Sequence, residues 1–248
     1  MFSRFVACLL FFLFFPLSHA ATTYIELIPD LTQTDIDGEG TGDGQQYCAP
    51  VSVSNSLAFW LEYDYEQQKE LVETLASEDY MNTDLNIGTG THGVMNGVSD
   101  YAMHHLGGYK TLDYEGWRSH PERFQSTTNI PDIKRVLSAV SYRSTAWLNI
   151  GWYKSVDGTD DFDRVGGHWV TLVGSTQNEL VIHDPAPRAG QEFSNQFVSF
   201  IKISSGNLTG GTNGLPVSAA GYFALGGGLI KKSTADHAIL DGVVYFVR

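Results

Sequence analysis

The chain contains very little cysteine, only two among its 248 residues. Cys8 lies in an apolar N-terminal segment that we expect to be removed on export, which leaves Cys48 as the one thiol of the mature protein. An exported chain with a single thiol cannot form an internal disulfide. Cys48 is therefore an inert buried side chain, a partner for another chain or a chemically active group.

Long hydrophobic runs are also scarce, since only Phe5 to Leu17 is almost continuously apolar. This run is too short to span a bilayer comfortably. It follows the positive charge of Arg4 and precedes Ser18-His19-Ala20, which has small residues where signal peptidases cleave. We therefore predict a signal peptide over residues 1–20, cleaved near Ala20, and a secreted or periplasmic protein without a membrane span.

Positively charged residues are scarce as well. The chain has 15 Lys and Arg against 28 Asp and Glu, and its net charge is −13. Such an excess of negative charge argues against a nucleic-acid partner or an anionic membrane surface. The composition fits a soluble protein, which we expect to be a monomer acting on a peptide or protein substrate.

Helical patterns occupy the first half of the mature chain. Pro50 is suited to the first turn of a helix, and Val53, Leu57 and Trp60 follow it on one face. Asp64 is a candidate N-cap for a second helix. Further helices are predicted over residues 94–106 and after Pro131, with the segment 109–129 left irregular.

Strand patterns dominate the second half of the chain. They are predicted at 146–152, 168–174, 179–182, 197–203 and 239–247. Helices followed by strands predict an α+β fold, with an N-terminal helical half packed on a C-terminal antiparallel sheet. We expect one domain over residues 21–248, with a core at about 45–186 and a C-terminal β extension at 187–248.

Three residues have the chemistry of a thiol-based catalyst. Cys48 precedes the helix at Pro50, and a helix N-terminus favours a thiolate. His168, in Gly-Gly-His-Trp-Val, is a candidate base on a strand whose face with Val170 and Leu172 we expect to meet the helices. Asp184, 16 residues later, is a candidate for orienting the imidazole, and the adjacent His183 is a rival base.

These motifs resemble those of papain-like cysteine peptidases, and are most similar to the domains related to bacteriocin-processing, double-glycine-leader peptidases. The resemblance covers about Gln45 to Ala186: Cys-Ala-Pro opening a helix, Gly-His-Trp-Val on a strand, then Asp-Pro-Ala. It implies a papain-like fold and an exported peptidase that needs no cofactor. Cys48 would be the nucleophile, His168 the general base and acid, and Asp184 the orienting residue.

Two features remain open at this point. The family's oxyanion glutamine usually lies further upstream of the cysteine, whereas Gln46 and Gln45 are the candidates here. The acidic loop has oxygen ligands at alternate positions, as in part of a calcium loop, but it has no glutamate at the twelfth position, so a solvated loop is favoured. The weak calcium ligand set would be Asp35, Asp37, Glu39 and Asp43; no other metal site is predicted.

Two alternatives to hydrolysis are retained. The same three residues would serve a transpeptidase or γ-glutamyl transferase, in which an amine or thiol replaces water. A non-catalytic exported binding domain with the same fold is the alternative of a different class.

Overall fold

The computed structural model describes residues 23–35, 44–126, 128–186, 195–210, 215–229 and 233–248. The predicted signal peptide at 1–20 lies outside these residues, as do Asp37, Glu39 and Asp43 of the weak calcium set.

The described helices follow the predicted order with shifted ends. They are α1 (Cys48–Leu61), α2 (Tyr65–Ala76), α3 (Thr91–His105) and α4 (Ile133–Leu137). Asp64 caps α2 as predicted: its carboxylate accepts the Gln67 N–H at 2.9 Å, and the Gln67 side chain accepts the Asp64 N–H at 3.0 Å. This reciprocal pair is a capping box, which satisfies two N–H groups at the start of the helix.

The strands form one large sheet. They are β1 (Thr23–Tyr24), β2 (Thr111–Gly116), β3 (Ser144–Ser155), β4 (Phe162–Ser175), β5 (Glu179–His183), β6 (Gln196–Lys202), β7 (Asn207–Thr209), β8 (Val217–Ser218), β9 (Phe223–Leu225) and β10 (His237–Val247). The α+β class is therefore confirmed. The sheet is mixed, however, and not purely antiparallel, because β7 pairs in parallel with the start of β4.

Six of the strands close into a ring in the order β3, β10, β9, β6, β5, β4 and back to β3. Their inward side chains, including Leu148, Ile150 and Val170, form an apolar cluster with Val136 of α4. A second cluster lies between the sheet and the helices and contains Trp147 and Trp169 with residues of α1, α2 and α3. The structure thus has two main cores, one inside the ring and one beneath the helices.

The segment predicted to be irregular contains a strand, β2, which pairs with β10 along its whole length. Its sequence, Thr-Leu-Asp-Tyr-Glu-Gly, has few strand-forming residues, and the pairing with β10 overrides that weak preference. β10 also pairs with β3 and with β9, so this C-terminal strand completes the ring of strands.

Helix α1 is buried on nearly every side. Some of its buried polar residues are hydrogen-bonded to β4. The Ser52 hydroxyl donates to the Trp169 carbonyl at 2.9 Å, and the Thr171 hydroxyl donates to the Ser52 carbonyl at 2.7 Å. The Asn55 amide donates to Thr171 at 3.1 Å. Because buried polar groups are tolerated only when they are hydrogen-bonded, these contacts fix α1 in one position against β4. The start of α1 is thereby held beside the middle of β4.

Candidate active site

Cys48 is the first residue of α1, because the helix begins two residues before the predicted start at Pro50. Pro50 is still within the first turn, where its missing N–H costs nothing. The preceding Tyr47 supplies no side-chain cap and the first turn contains no acidic residue. The partial positive charge of this helix end is therefore left for the half-buried thiol and for groups that bind next to it.

His168 and Asp184 lie together, as the sequence suggested. His168 Nε2 and Asp184 Oδ1 are 2.6 Å apart, and both residues are at least 95% buried. The pairing of β4 with β5 ends at Thr171 and His183, so the chain emerges from β5 directly at Asp184. Asp184 also accepts the Ala186 N–H at 2.9 Å, which holds the carboxylate in a local turn.

The His168 side chain also interacts with the Cys48 thiol. Burial by itself would lower the pKa of His168, but hydrogen bonds to Asp184 and Cys48 and their charges outweigh it, so that the pKa is raised from 6.5 to about 10. The surroundings of the imidazole therefore favour its protonated form. Trp152 stacks on the ring with centroids 5.6 Å apart and so covers one side of it.

The way in which His168 meets α1 differs from the prediction. Val170 and Leu172 point into the ring of strands and not toward the helices, where Trp169 lies instead. His168 reaches Cys48 at a gap in strand pairing: among the described strands, β7 pairs with β4 only up to Asp163 and β5 pairs only from Thr171. The helix end approaches β4 along this unpaired edge.

A cavity of about 470 Å³ opens next to the thiol and the imidazole. Gln46 lines it, whereas Gln45 is exposed and is absent from its wall. The Gln45 carbonyl accepts a hydrogen bond from the Gln33 amide at 2.6 Å, which fixes the backbone before Cys48. Of the two glutamines considered from sequence, Gln46 therefore stands in the position from which it could reach a substrate carbonyl.

The rival base, His183, is held elsewhere. Its Nδ1 lies 3.0 Å from the Pro29 carbonyl and its Nε2 lies 2.9 Å from Asn195 Oδ1. Both ring nitrogens are therefore engaged, and His183 is not among the residues that line the cavity.

The calcium prediction concerns the acidic loop, most of which is not described. Asp35 ends a short 3-10 turn, Gln33–Asp35, while Asp37, Glu39 and Asp43 lie outside the described residues. Within the described ranges, no three His, Cys, Asp or Glu side chains are grouped closely enough to hold a metal ion.

The polar residues of the cavity wall that sequence reasoning missed include Asn149, Arg118 and Arg164. Asn149 follows Trp147 by two positions on β3 and therefore shares its face, which was a usable signal. Arg118 lies in the segment predicted to be irregular, and no local pattern indicated its position. Arg164 precedes the irregular pairing at Gly166, so simple alternation from His168 could not place it.

A thiol at a helix start, an imidazole beside it and a carboxylate behind the imidazole are the constellation of cysteine peptidases and related acyl-transfer enzymes. The chain belongs to the Peptidase C39-like family, whose model matches residues 25–204.

A crystal structure of a Bacillus anthracis protein classed as a C39-like peptidase is similar over 92% of this chain and 98% of that one, with 11% identity and a TM-score of 0.42. No curated protein matches the chain significantly. None of the described helices has the length and apolar character needed to cross a membrane.

Proposed function

We propose that the protein is an exported cysteine peptidase that hydrolyses a peptide or isopeptide bond. The observation that carries the proposal is the hydrogen-bonded series from Cys48 through the His168 ring to Asp184. Membership in a peptidase family supports the reaction class. The N-terminal sequence supports export, with a signal peptide over residues 1–20.

The first half of the reaction makes a thioester. The Cys48 thiolate attacks the carbonyl carbon of the substrate, forming a carbon–sulfur bond and a negatively charged oxygen. The Cys48 backbone N–H and the Gln46 side-chain amide would donate to that oxygen. The carbon–nitrogen bond then breaks, and the leaving amine takes the proton of the His168 imidazolium.

The second half releases the acyl group. Neutral His168 removes a proton from water, and the resulting hydroxide attacks the thioester. The carbon–sulfur bond breaks, the substrate leaves as a carboxylic acid, and Cys48 returns to a thiolate beside protonated His168. Asp184 keeps the ring in one orientation throughout and stabilises its positive charge whenever the ring is protonated.

Alkylation of the mature protein tests this proposal. Iodoacetamide at neutral pH should modify Cys48 much faster than it modifies free cysteine, because the adjacent His168 imidazole activates the sulfur. The His168→Ala variant should lose that advantage, while His183→Ala, a matched histidine outside the cavity, should keep it. Slow labelling of the folded wild type, or no dependence on His168, would contradict the proposal.

A further inference from the structure

The cavity beside Cys48 differs in charge from the rest of the chain. The protein has almost twice as many acidic as basic residues. The described residues that line the cavity nevertheless include two arginines, Arg118 and Arg164, two histidines and no Asp or Glu. A positive cavity in an acidic protein indicates that the ligand is chosen by charge.

Arg164 is held rigidly in the wall by Asp241. Its Nε donates to Asp241 Oδ2 at 2.7 Å, and Asp241 is fully buried. The same carboxylate accepts Trp117 Nε1 at 2.9 Å and the Tyr153 hydroxyl at 2.5 Å. With Nε occupied, the two Nη groups of Arg164 remain as donors, since they have no hydrogen-bond acceptor among the described residues.

Two glycines provide the space for this arrangement. Gly151 and Gly167 are opposite each other on β3 and β4. A Cβ atom on Gly151 would lie 2.5 Å from Asp241 Oδ2, and one on Gly167 would lie 2.1 Å from Arg164 Nη2. The guanidinium therefore lies directly over Gly167, the residue before His168.

Arg118 has no acidic partner among the described residues. Its Nη1 makes a long contact of 3.4 Å with the Gly210 carbonyl, and its guanidinium lies 4.9 Å from the Trp117 ring. Burial, followed by the charge of Arg164, lowers the pKa of Arg118. Asp241 pairs directly with Arg164 and acts on Arg118 only through its charge, so one carboxylate faces two guanidinium groups and one positive charge is left unbalanced.

Asn149 supplies a second, independent sign of a missing ligand. It is 5% exposed and lines the cavity, yet its Oδ1 atom has no hydrogen-bond partner among the described residues. A buried acceptor without a donor costs free energy unless something binds to it. A backbone N–H of an extended peptide in the cavity would satisfy it.

We propose that Arg118 and Arg164 form a subsite for a carboxylate of the peptide substrate, with Asn149 accepting a substrate N–H. This inference rests on the proposed peptidase function and specifies its substrate class. Guanidinium groups match the geometry of a carboxylate, and the single unbalanced charge matches one carboxylate better than a doubly charged phosphate. The carboxylate is either an Asp or Glu side chain or the C-terminus of the peptide.

Binding can be tested without catalysis. The Cys48→Ala variant of the mature protein is immobilised and exposed to two random hexapeptide libraries, one with free and one with amidated C-termini, and retained peptides are sequenced by mass spectrometry. Enrichment of Asp and Glu at one position in both libraries identifies a side-chain carboxylate. Enrichment of the free-carboxyl library alone identifies the C-terminus. Enrichment should be at least about tenfold, as expected for a charge-assisted hydrogen bond.

Variants in the same background establish the role of the arginine. Arg118→Gln should abolish the enrichment and Arg118→Lys should keep part of it. Arg143→Gln, which changes an exposed arginine, should leave it intact. Retained peptides that show no preference for a carboxylate, or the same preference in Arg118→Gln, would overturn the inference. Retention of no peptide would overturn it as well.

The proposed function is tested separately, by iodoacetamide labelling of Cys48 and by cleavage of the same libraries with the unmutated protein. Fast labelling and cleavage without a preference for acidic peptides would refute the subsite alone. Carboxylate selection by the Cys48→Ala variant, combined with slow labelling and no cleavage, would refute the peptidase and leave the subsite standing.

Discussion

The pKa of His168 provides the most direct test of the site. The Asp184→Asn variant keeps the shape of the side chain but removes its charge. Because burial then opposes protonation with only Cys48 to offset it, we expect the pKa to fall from about 10 by about 1–3 units. This corresponds to roughly 1.4–4 kcal/mol of lost stabilisation of the imidazolium.

The same change alters how stability depends on pH. The folded-state pKa of His168 is above its ordinary value of 6.5, so the stabilisation is fully present below about pH 6.5 and is lost as the pH rises through about 10. In Asp184→Asn this loss should be smaller and should end at lower pH. The difference between the two unfolding free energies, measured by urea denaturation, should therefore shrink between pH 7 and pH 10.

NMR titration of histidine labelled with ¹³C at Cε1, from pH 5 to 11, measures the pKa itself. A His168→Gln variant assigns the signal, and Asp157→Asn, a change at an exposed loop aspartate, serves as the control. A wild-type pKa near 6.5, or an equal pKa in wild type and Asp184→Asn, would refute the reasoning.

Three further predictions follow from other contacts. Peptide cleavage should decline as the pH rises through the His168 pKa of about 10, because the proton for the leaving amine is lost; a rate that keeps rising beyond pH 10 would contradict this. Asp241→Asn should destabilise the fold by about 3–5 kcal/mol, since it leaves the partly buried Arg164 without its counter-charge, and calorimetry should show a melting temperature lower by roughly 6–20 °C. Adding Arg164→Met should recover part of that loss, and no recovery would mean that the ion pair is not its source. Asp64→Ala should cost about 0.5–2 kcal/mol in urea denaturation through loss of the α2 cap, and an unchanged midpoint would show that the cap contributes nothing.

The contact between His168 and Asp184 was easier to predict from the sequence than the packing around it. The pairing of His168 with Asp184 could be anticipated because a short hairpin joins their strands, and hairpin geometry is local. The orientation of Val170 and Leu172 could not be anticipated. It depends on closure of the ring of strands, which requires pairing between strands that are far apart in the sequence. β2 was missed for the same reason: its residues have weak strand preference, and only its pairing with β10 makes it a strand.

Arg118 illustrates a further limit of sequence reasoning. Its place in the cavity depends on the packing of the segment after β2 against α3, where the Thr91 hydroxyl donates to the Ser119 carbonyl. No periodic pattern of hydrophobic residues in the sequence indicates such a contact. The two glycines beside Arg164 and Asp241 were visible in the sequence, but the side chains that need their space lie on other parts of the chain.

The position of β10 has a consequence for how the protein acquires activity. β10 follows every other strand in chain order, yet it joins β3 to β9 and pairs with β2 more than a hundred residues earlier. Pairings between strands so distant in sequence form slowly, because the chain loses much conformational entropy before the contacts between the strands can stabilise it. In the export that we propose, Cys48 would emerge long before the strand that locks β3, the neighbour of the His168 strand, into place. The candidate catalytic groups would thus be held together only once β10 has joined the ring of strands.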